Sequence, residues 1–361
     1  MKGVNGGKNA EKLERQILAT IAYYDILNYP LTGFEVFLYL INENKKLEIA
    51  SPRLVRLGRR NWKLENNEEQ KSDDDHLLFI IYYLLDNSEY LKKYVGQELG
   101  FYFLKTSGSC IVQRRLDGRK IADGKWKKAK KIYRIMQAVP FLRGVLISGS
   151  LALGSAKKSS DIDIMVIAKN GRIWTVRVFL TALIFLLGVR RNEKDTKDKI
   201  CLNHYITDKS LQIPFFSLYD AHLYSHLINA YNDADNIKTF QDFQKNNSWI
   251  KNYVQNYNLS ELRFSTSVGK NKALSFIAKI FEFILSGKIG DYFEKTLSKI
   301  QIAKIKKNPS FKNKNGRITI SDNQLEFHPK LHEKIVIPEF NKRMKALGLL
   351  EFANQKESGE D

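Results

Sequence analysis

Two carboxylates stand at the start of an apolar, strand-like run near the middle of the chain. The segment LISGSLALGSAKKSSDIDIMVI extends from Leu146 to Ile167 and contains Asp161 and Asp163. Removing a carboxylate from water is costly unless the group is paired or binds a metal ion. Residues two apart on a strand share one face, so these carboxylates repel each other unless a cation lies between them. The pattern therefore predicts a strand that presents an acid pair to a divalent cation.

A Gly-Ser pair precedes the acid pair in the same segment. Gly149 and Ser150 follow a predicted strand and open a predicted short helix, and ten residues separate Ser150 from Asp161. Glycine tolerates the backbone angles that let successive N–H groups point at an anion. Mg²⁺ prefers hard oxygen ligands and also binds phosphate oxygens. The two features together predict a phosphate-binding turn that faces a magnesium-binding acid pair.

The combination of an apolar residue, Gly-Ser, ten residues and Asp-Ile-Asp-Ile resembles the signature of the polymerase-β-like nucleotidyltransferase superfamily, over about residues 141–207. The N-terminal helices, GFYFL, the basic helix and KICLN also resemble a group of uncharacterised nucleotidyltransferase-domain proteins. The resemblance implies that Gly149 and Ser150 hold a triphosphate and that Asp161 and Asp163 bind Mg²⁺, in a site for one or two ions. It also implies transfer of a nucleoside monophosphate from an NTP, with ATP expected, to an unidentified acceptor hydroxyl.

The residues that would supply positive charge to the expected phosphates differ from that signature. Small transferases of the superfamily often carry an arginine soon after the Gly-Ser pair, whereas residues 151–153 read LAL here. Lys157 and Ser160, in the loop that follows, are the candidate phosphate-binding residues instead. The competing interpretation of the lysine is a solvated loop residue.

The third carboxylate of the signature is also replaced on its usual strand. That strand reads KICLNHYIT, and strict alternation places Cys201, Asn203 and Tyr205 on one face. Asn203 best matches the expected position and is the candidate third catalytic residue. An amide oxygen can bind Mg²⁺, but it is a poor general base. The acidic alternatives, just before the strand, are Asp195 and Asp198.

The order of the predicted elements indicates an α+β protein with a small mixed sheet. Strand, turn, short helix, strand, long helix and strand follow one another in the nucleotidyltransferase-like core, and this order forms a sheet covered by helices. A winged-helix-like region and a helical region flank the core. The predicted boundaries are 1–10 for a flexible tail, 11–116 for the winged-helix-like domain, 117–210 for the core, 211–350 for the C-terminal helical region and 351–361 for a disordered tail.

Three short helices with tight connections predict a helix-turn-helix at the N-terminus. Thr32 and Glu35 form a capping-box pattern at the start of the second helix. A later hairpin would be the wing. The predicted spans are 11–28, 32 onward and 51–60 for the helices, 66–75 for a polar loop and 99–116 for the hairpin.

The charge of the chain favours contact with polyanions. Its formal net charge is +20, which suits nucleic acid, nucleotide phosphates or an anionic membrane surface. A generally lysine-rich composition is the competing explanation. With the replaced third acid, the charge keeps an alternative function open: a catalytically weak or inactive module that binds nucleotides or nucleic acid.

The cysteines and the most apolar segment predict a cytoplasmic protein without a transmembrane segment. Cys110 and Cys201 are far apart and read as two buried thiols in a reducing cytosol. Residues 173–189 are shorter than the roughly 20 residues that span a bilayer, and they include Arg177. A buried core helix is therefore expected there.

Other polar and aromatic residues are interpreted as structural. His222 and His226 are four apart on a predicted helix, which is a metal-pair spacing, but a surface or core role is favoured. Trp174 and Trp249 are expected in the core. The segment FHP, residues 327–329, is expected to be a turn.

Overall fold

A six-stranded mixed sheet forms the centre of the fold. The computed structural model describes residues 3–43, 53–57, 61–65, 68–192, 195–257, 267–307, 316–328 and 331–358. The strands of the sheet are β6 Leu142–Ile147, β7 Ile162–Ala168, β8 Ile200–Thr207, β9 Ile228–Asn229, β10 Arg317–Ile320 and β11 Gln324–His328. The strand order is β10-β11-β8-β7-β6-β9, and β7 and β8 run parallel while the other neighbours run antiparallel. The α+β class and the mixed sheet are confirmed.

Helices cover the sheet and make up much of both ends of the chain. They are α1 Gly3–Ile26, α2 Gly33–Leu38, α3 Glu68–Asn87, α4 Glu89–Tyr94, α5 Cys110–Met136, α6 Gly149–Ala152, α7 Ile173–Leu186, α8 Leu218–Ser225, α9 Ala234–Asn246, α10 Lys272–Ile284, α11 Gly287–Lys307 and α12 Glu333–Ala346. The shorter strands are β1 Leu31–Thr32, β2 Arg53–Leu57, β3 Asn61–Glu65, β4 Val95–Glu98 and β5 Phe101–Leu104.

The apolar residues of β7 divide between two cores, one on each face of the sheet. Ile164 and Val166 pack with residues of α5 and α7. Met165 and Ile167 pack with residues of α8 and α9. This division follows from the alternation of side chains along a strand, and it places Asp163 on the same face as Met165.

The N-terminal region begins with α1, β1 and α2, and the expected capping box is present. Thr32 Oγ1 accepts a hydrogen bond from Glu35 N, and the Glu35 carboxylate accepts one from Thr32 N. Strands β1, β5 and β4 form a three-stranded sheet. Helix α1 starts at Gly3, so residues 3–10 belong to a helix rather than to a flexible tail.

Three N-terminal predictions are wrong. The predicted third helix, residues 51–60, contains β2, which pairs with β3 in a hairpin; the other residues of that span lie outside the described ones. The predicted loop 66–75 lies largely in α3. The predicted hairpin 99–116 is shifted, because β4 and β5 turn at Leu99-Gly100 and α5 begins at Cys110. Helix α5 therefore crosses the predicted boundary between residues 116 and 117.

The C-terminal region is not a separate helical unit. Strands β9, β10 and β11 complete the central sheet, and α12 contributes Val336 and Phe340 to the same apolar core as α1. The predicted disordered tail is also wrong for the described residues 351–358. Phe352 is buried, and Ser358 N donates a hydrogen bond to Glu333.

Helix α7 is only partly a core helix. Its first four residues are buried, whereas Phe185 and Leu186 near its end are exposed. In the described part of the chain, no helix combines the length and the apolar character that crossing a bilayer requires. Of the two thiols, Cys201 is buried as expected and Cys110 is exposed, contrary to prediction.

Candidate functional site

The Gly-Ser turn lies directly against the acid pair. Gly149 has φ +65°, and a Cβ at this position would lie 2.6 Å from Asp163 Oδ2. Glycine is therefore required here, both for the backbone conformation and for the space. Ser148 N also donates a 3.0 Å hydrogen bond to Asp163 O, which fixes the turn to the start of β7. The predicted contact between turn and acids is present.

Asp161, Asp163 and Cys201 bring their ligand atoms within 4.8 Å of one another. The parallel register of β7 and β8 pairs Asp163 with Cys201, so the residue beside the acid pair on the next strand is a thiol. Burial and the neighbouring Asp161 carboxylate raise the pKa of Asp163 to about 6. Burial, followed by the Asp163 charge, raises the pKa of Cys201 to about 12. The cluster thus has two carboxylates and a neutral thiol.

Arg191 supplies positive charge that sequence reasoning missed. Its Nε lies 2.8 Å from Asp161 Oδ2, and its Nη1 donates to Cys201 Sγ at 3.3 Å. Arg191 comes 41 residues after Ser150, far beyond the positions directly after the Gly-Ser pair where the arginine of the signature is expected. The detectable signal was a basic pair, Arg190-Arg191, nine residues ahead of the strand that faces the acids.

Asn203 is turned toward another part of the sheet. The β7–β8 register shifts after Asp163, because Met165 pairs with His204 rather than with the residue before it. The Asn203 side-chain nitrogen lies 3.3 Å from Nδ1 of His328 in β11. The bulge also breaks the predicted alternation, since Tyr205 packs in the core on the opposite face from Met165. The Asn203 side chain therefore contacts His328, and the residue paired with Asp163 is Cys201.

The acidic alternatives to Asn203 also lie outside the cluster. Asp198 pairs with Lys125 and Lys128 at 2.6 Å each, and Asp195 pairs with Lys199 at 3.1 Å. Neither replaces the third carboxylate.

Lys157 and Ser160 close a turn with each other. Lys157 N donates a 3.0 Å hydrogen bond to Ser160 Oγ, while the lysine side chain is exposed. The Ser160 carbonyl accepts from Lys125 Nζ at 2.7 Å. The structure gives these residues a role in shaping the loop.

The N-terminal region holds the far end of α6. Tyr29 Oη donates a 2.7 Å hydrogen bond to Leu153 O, and Arg115 Nη1 donates one of 2.8 Å to Gly154 O. Arg115 Nη2 also pairs with Glu35 at 2.9 Å. The candidate phosphate-binding turn is therefore supported by α2, α5 and the segment that follows α1.

The pair formed by His222 in α8 and His226, the residue directly after it, is structural, as favoured from sequence. Tyr24 Oη is hydrogen-bonded to His222 Nδ1 at 3.0 Å and to His226 Nε2 at 2.5 Å, and all three side chains are buried. Trp174 is buried and Trp249 is partly buried, both packed in apolar cores. The predicted turn at 327–329 is wrong for Phe327 and His328, which end β11; Pro329 lies outside the described residues.

No family model, curated protein or solved structure matches this chain.

Proposed function

We propose that the protein is a Mg²⁺-dependent nucleotidyltransferase that moves a nucleoside monophosphate from an NTP to an acceptor hydroxyl. The observation that carries this proposal is the contact between the Gly149 backbone and the Asp163 carboxylate. A turn with this conformation directs N–H groups outward, toward a phosphate. Its contact with an acid pair supports a site that receives a metal–triphosphate complex.

The donor atoms fit Mg²⁺ better than a softer metal. Mg²⁺ is usually held by one or two carboxylates together with substrate phosphates and water, and Asp161 and Asp163 supply such a pair. A neutral thiol such as that of Cys201 is a poor ligand for it. Bound there, Mg²⁺ would neutralise charge on the phosphates and favour attack at the α-phosphorus.

The chain's own residues would bind and orient the nucleotide. The Gly149 and Ser150 backbone, with the Ser150 hydroxyl, would hold the terminal phosphates. Arg191 now neutralises Asp161; once a cation occupies the acid pair, its guanidinium can turn to a phosphate oxygen, which it binds in a bidentate manner. ATP remains the expected nucleotide.

Among the residues that the structure describes, the cluster has no third carboxylate that could act as the general base for the acceptor hydroxyl. The cluster has Cys201 at the position paired with Asp163, and Asn203 contacts His328 instead. This observation supports a second candidate, a protein that binds the Mg²⁺–nucleotide complex and transfers slowly or not at all. The two candidates share one binding site and differ in turnover.

A polyanionic acceptor is supported by the surroundings of the turn. Helix α5 packs on α6, and its solvent face is strongly basic. Elements α1, β1, α2, α3, β4 and β5, with the sheet β1-β5-β4, also follow the order of a winged helix, with the β2–β3 hairpin inserted before α3 and α4 inserted after it. This order supports nucleic-acid contact by the N-terminal region. The exposed basic residues of α5 are Arg114, Arg119, Lys120, Lys127, Lys128, Lys131 and Arg134.

Nucleotide binding is the first test. We expect the protein to bind a non-hydrolysable ATP analogue in the presence of Mg²⁺ in calorimetry. Asp163→Asn and Asp161→Asn should weaken that binding at least about tenfold, the effect of losing one charged metal ligand. Asp123→Asn removes an exposed carboxylate on α5 and should leave binding unchanged. Equal affinity in all four proteins contradicts the proposal.

Transfer is the second test. The protein is incubated with α-labelled NTPs, Mg²⁺ and fractionated cell extract, and label is followed into small molecules, protein and RNA. Label that appears with the wild type and is lost with Asp163→Asn supports the enzyme. Binding without transfer supports the second candidate, while a steep loss of RNA or DNA affinity with salt marks the basic surface as a polyanion site.

A further inference from the structure

A second group of ligand atoms lies on strands β8 and β11. The antiparallel register places Glu326 opposite His204, and His328 follows two residues later, on the same face of β11. The ligand atoms of His204, Glu326 and His328 lie within 4.8 Å of one another. Two imidazoles and one carboxylate on adjacent strands are a donor set found in protein transition-metal sites.

Two of these side chains are buried with unused ligand atoms. His204 is 5% exposed and Glu326 is 1% exposed. In the described part of the chain, His204 Nε2 and Glu326 Oε1 have no hydrogen-bond partner. Glu326 Oε1 is approached only at longer range there, with 3.7 Å to Arg317 Nη1 and 3.7 Å to His328 Nε2. Buried polar atoms are nearly always satisfied, so these two atoms are available to bind a ligand.

The charges around Glu326 also favour the binding of a cation. Arg317 pairs with Asp220 at 2.9 Å and with Glu333 at 3.0 Å, so two carboxylates already share the guanidinium. Glu326 is a third carboxylate near one arginine, which leaves an excess of negative charge in a buried region. A divalent ion would compensate it.

We infer that His204, Glu326 and His328 bind a divalent transition-metal ion, for which Zn²⁺ is the best match. Neutral imidazole nitrogens favour Zn²⁺ over Mg²⁺ or Ca²⁺, which prefer all-oxygen sites. Three protein ligands leave a fourth position for water or substrate. The His328 side chain is 31% exposed, so that position can communicate with solvent.

Asn203 acts in this site as a positioning residue. Its side-chain amide lies 3.3 Å from His328 Nδ1. The amide atom that faces Nδ1 is the nitrogen. When the amide turns by 180°, which exchanges its nitrogen and oxygen, Nδ1–H donates to the oxygen and His328 Nε2 keeps its lone pair for the metal, as ligating histidines do when a partner fixes the other ring nitrogen. The residue expected from sequence to complete the acid cluster thus serves the neighbouring one. This inference does not depend on the proposed transferase activity.

The test is Zn²⁺ binding to the full-length protein after chelator treatment. Titration in a calorimeter should give one tight site, and Zn²⁺ should raise the melting temperature. Glu326→Gln and His328→Gln should each weaken binding about 100-fold or more. Glu326→Gln keeps the side-chain shape and removes a buried charge, so it should fold. His76→Gln replaces an exposed histidine on α3 and should bind as the wild type does.

A spectroscopic arm separates this site from the thiol-containing cluster. Co²⁺ bound to His204, Glu326 and His328 should show d–d bands without a thiolate charge-transfer band, and Cys201→Ser should leave those bands unchanged. Asn203→Ala should weaken binding less than the ligand variants do. The inference is overturned if no single tight site is found, if Zn²⁺ binding survives both ligand variants, or if Cys201→Ser abolishes it.

Discussion

Strand β8 passes two clusters that combine carboxylates with an arginine, and the two arginines differ in environment. Near the start of the strand, Arg191 pairs with Asp161 while its side chain is 47% exposed. Near the hairpin β10–β11, Arg317 is 8% exposed and bonds Asp220, which is fully buried. A charge pair open to water can be exchanged for a substrate, whereas a buried network fixes the structure around it. The first cluster can therefore exchange its charge pair for a substrate, whereas the second stabilises the structure around it.

The largest expected effect is the removal of the buried arginine. Arg317→Met should lower the free energy of unfolding by about 3–5 kcal/mol, because Asp220, Glu326 and Glu333 would remain buried without their cation. Urea unfolding at pH 7.5 measures the change. A loss below about 1 kcal/mol would mean that solvent reaches this network and that the two clusters are alike.

The buried histidines His222 and His226 should make the protein sensitive to acid. Burial lowers the pKa of His226 to about 3 and lowers that of His222, and the Arg115 charge adds to the effect on His226. Tyr24, Tyr23 and Tyr39 face these imidazoles from the neighbouring elements.

The unfolded chain takes up protons below about pH 6.5, whereas folded His226 stays neutral until about pH 3. The stability that the neutral imidazole contributes is therefore fully present above pH 6.5. It is lost as the pH decreases, and His226 alone should lower the free energy of unfolding by on the order of 2 kcal/mol at pH 5. Urea unfolding between pH 7.5 and 5 checks the slope. His226→Gln should flatten it and His76→Gln should not; an unchanged slope in His226→Gln argues against a buried neutral imidazole.

The Gly149 turn should be intolerant of any side chain. Gly149→Ala should cost about 1–2 kcal/mol from the left-handed backbone conformation, and its Cβ would displace the Asp163 carboxylate. We expect Mg²⁺–nucleotide binding to fall at least about tenfold. Gly124→Ala is the matched control, since that helical position has open space and should gain about 0.5–1 kcal/mol. Normal nucleotide binding by Gly149→Ala would mean that this turn does not contribute to the nucleotide-binding site.

The smallest effect on stability is expected at the exposed arginine. Arg191→Met should change the free energy of unfolding by about 0–1 kcal/mol, since the pair with Asp161 is partly solvated. Its effect on binding should divide: Mg²⁺ alone binds more tightly because a competing cation is gone, while the Mg²⁺–nucleotide complex binds more weakly. Calorimetry with each ligand tests this. If the affinities for Mg²⁺ and for the Mg²⁺–nucleotide complex change equally and in the same direction, Arg191 does not bind the phosphates.

The local part of the candidate site was predictable from the chain. The strands at Leu142–Ile147 and Ile162–Ala168, the turn between them and the side-by-side acids follow from periodicity and from glycine at one required position. These features depend on neighbours within some 20 residues, for which side-chain alternation and turn chemistry are reliable guides.

The N-terminal predictions failed for a different reason. Residues 53–57 begin after a Ser-Pro helix start signal, yet they pair with residues 61–65 as a hairpin. Pairing with a partner strand overrides a local start signal, because strand formation depends on context more than helix formation does. Helix α5 likewise begins inside the predicted hairpin, at Cys110, although the branched residues Ile111 and Val112 favoured a strand there.

The sequence by itself determined the strand–turn–strand unit with its acid pair, since those interactions are local. The tertiary structure alone decided which residues complete each cluster. A bulge in β8 turned Asn203 toward His328, the parallel register placed Cys201 beside Asp163, and the β11 pairing brought Glu326 to His204 from more than 100 residues away. Register and bulges are set by how whole strands pair and pack, and no local pattern of residues encodes them.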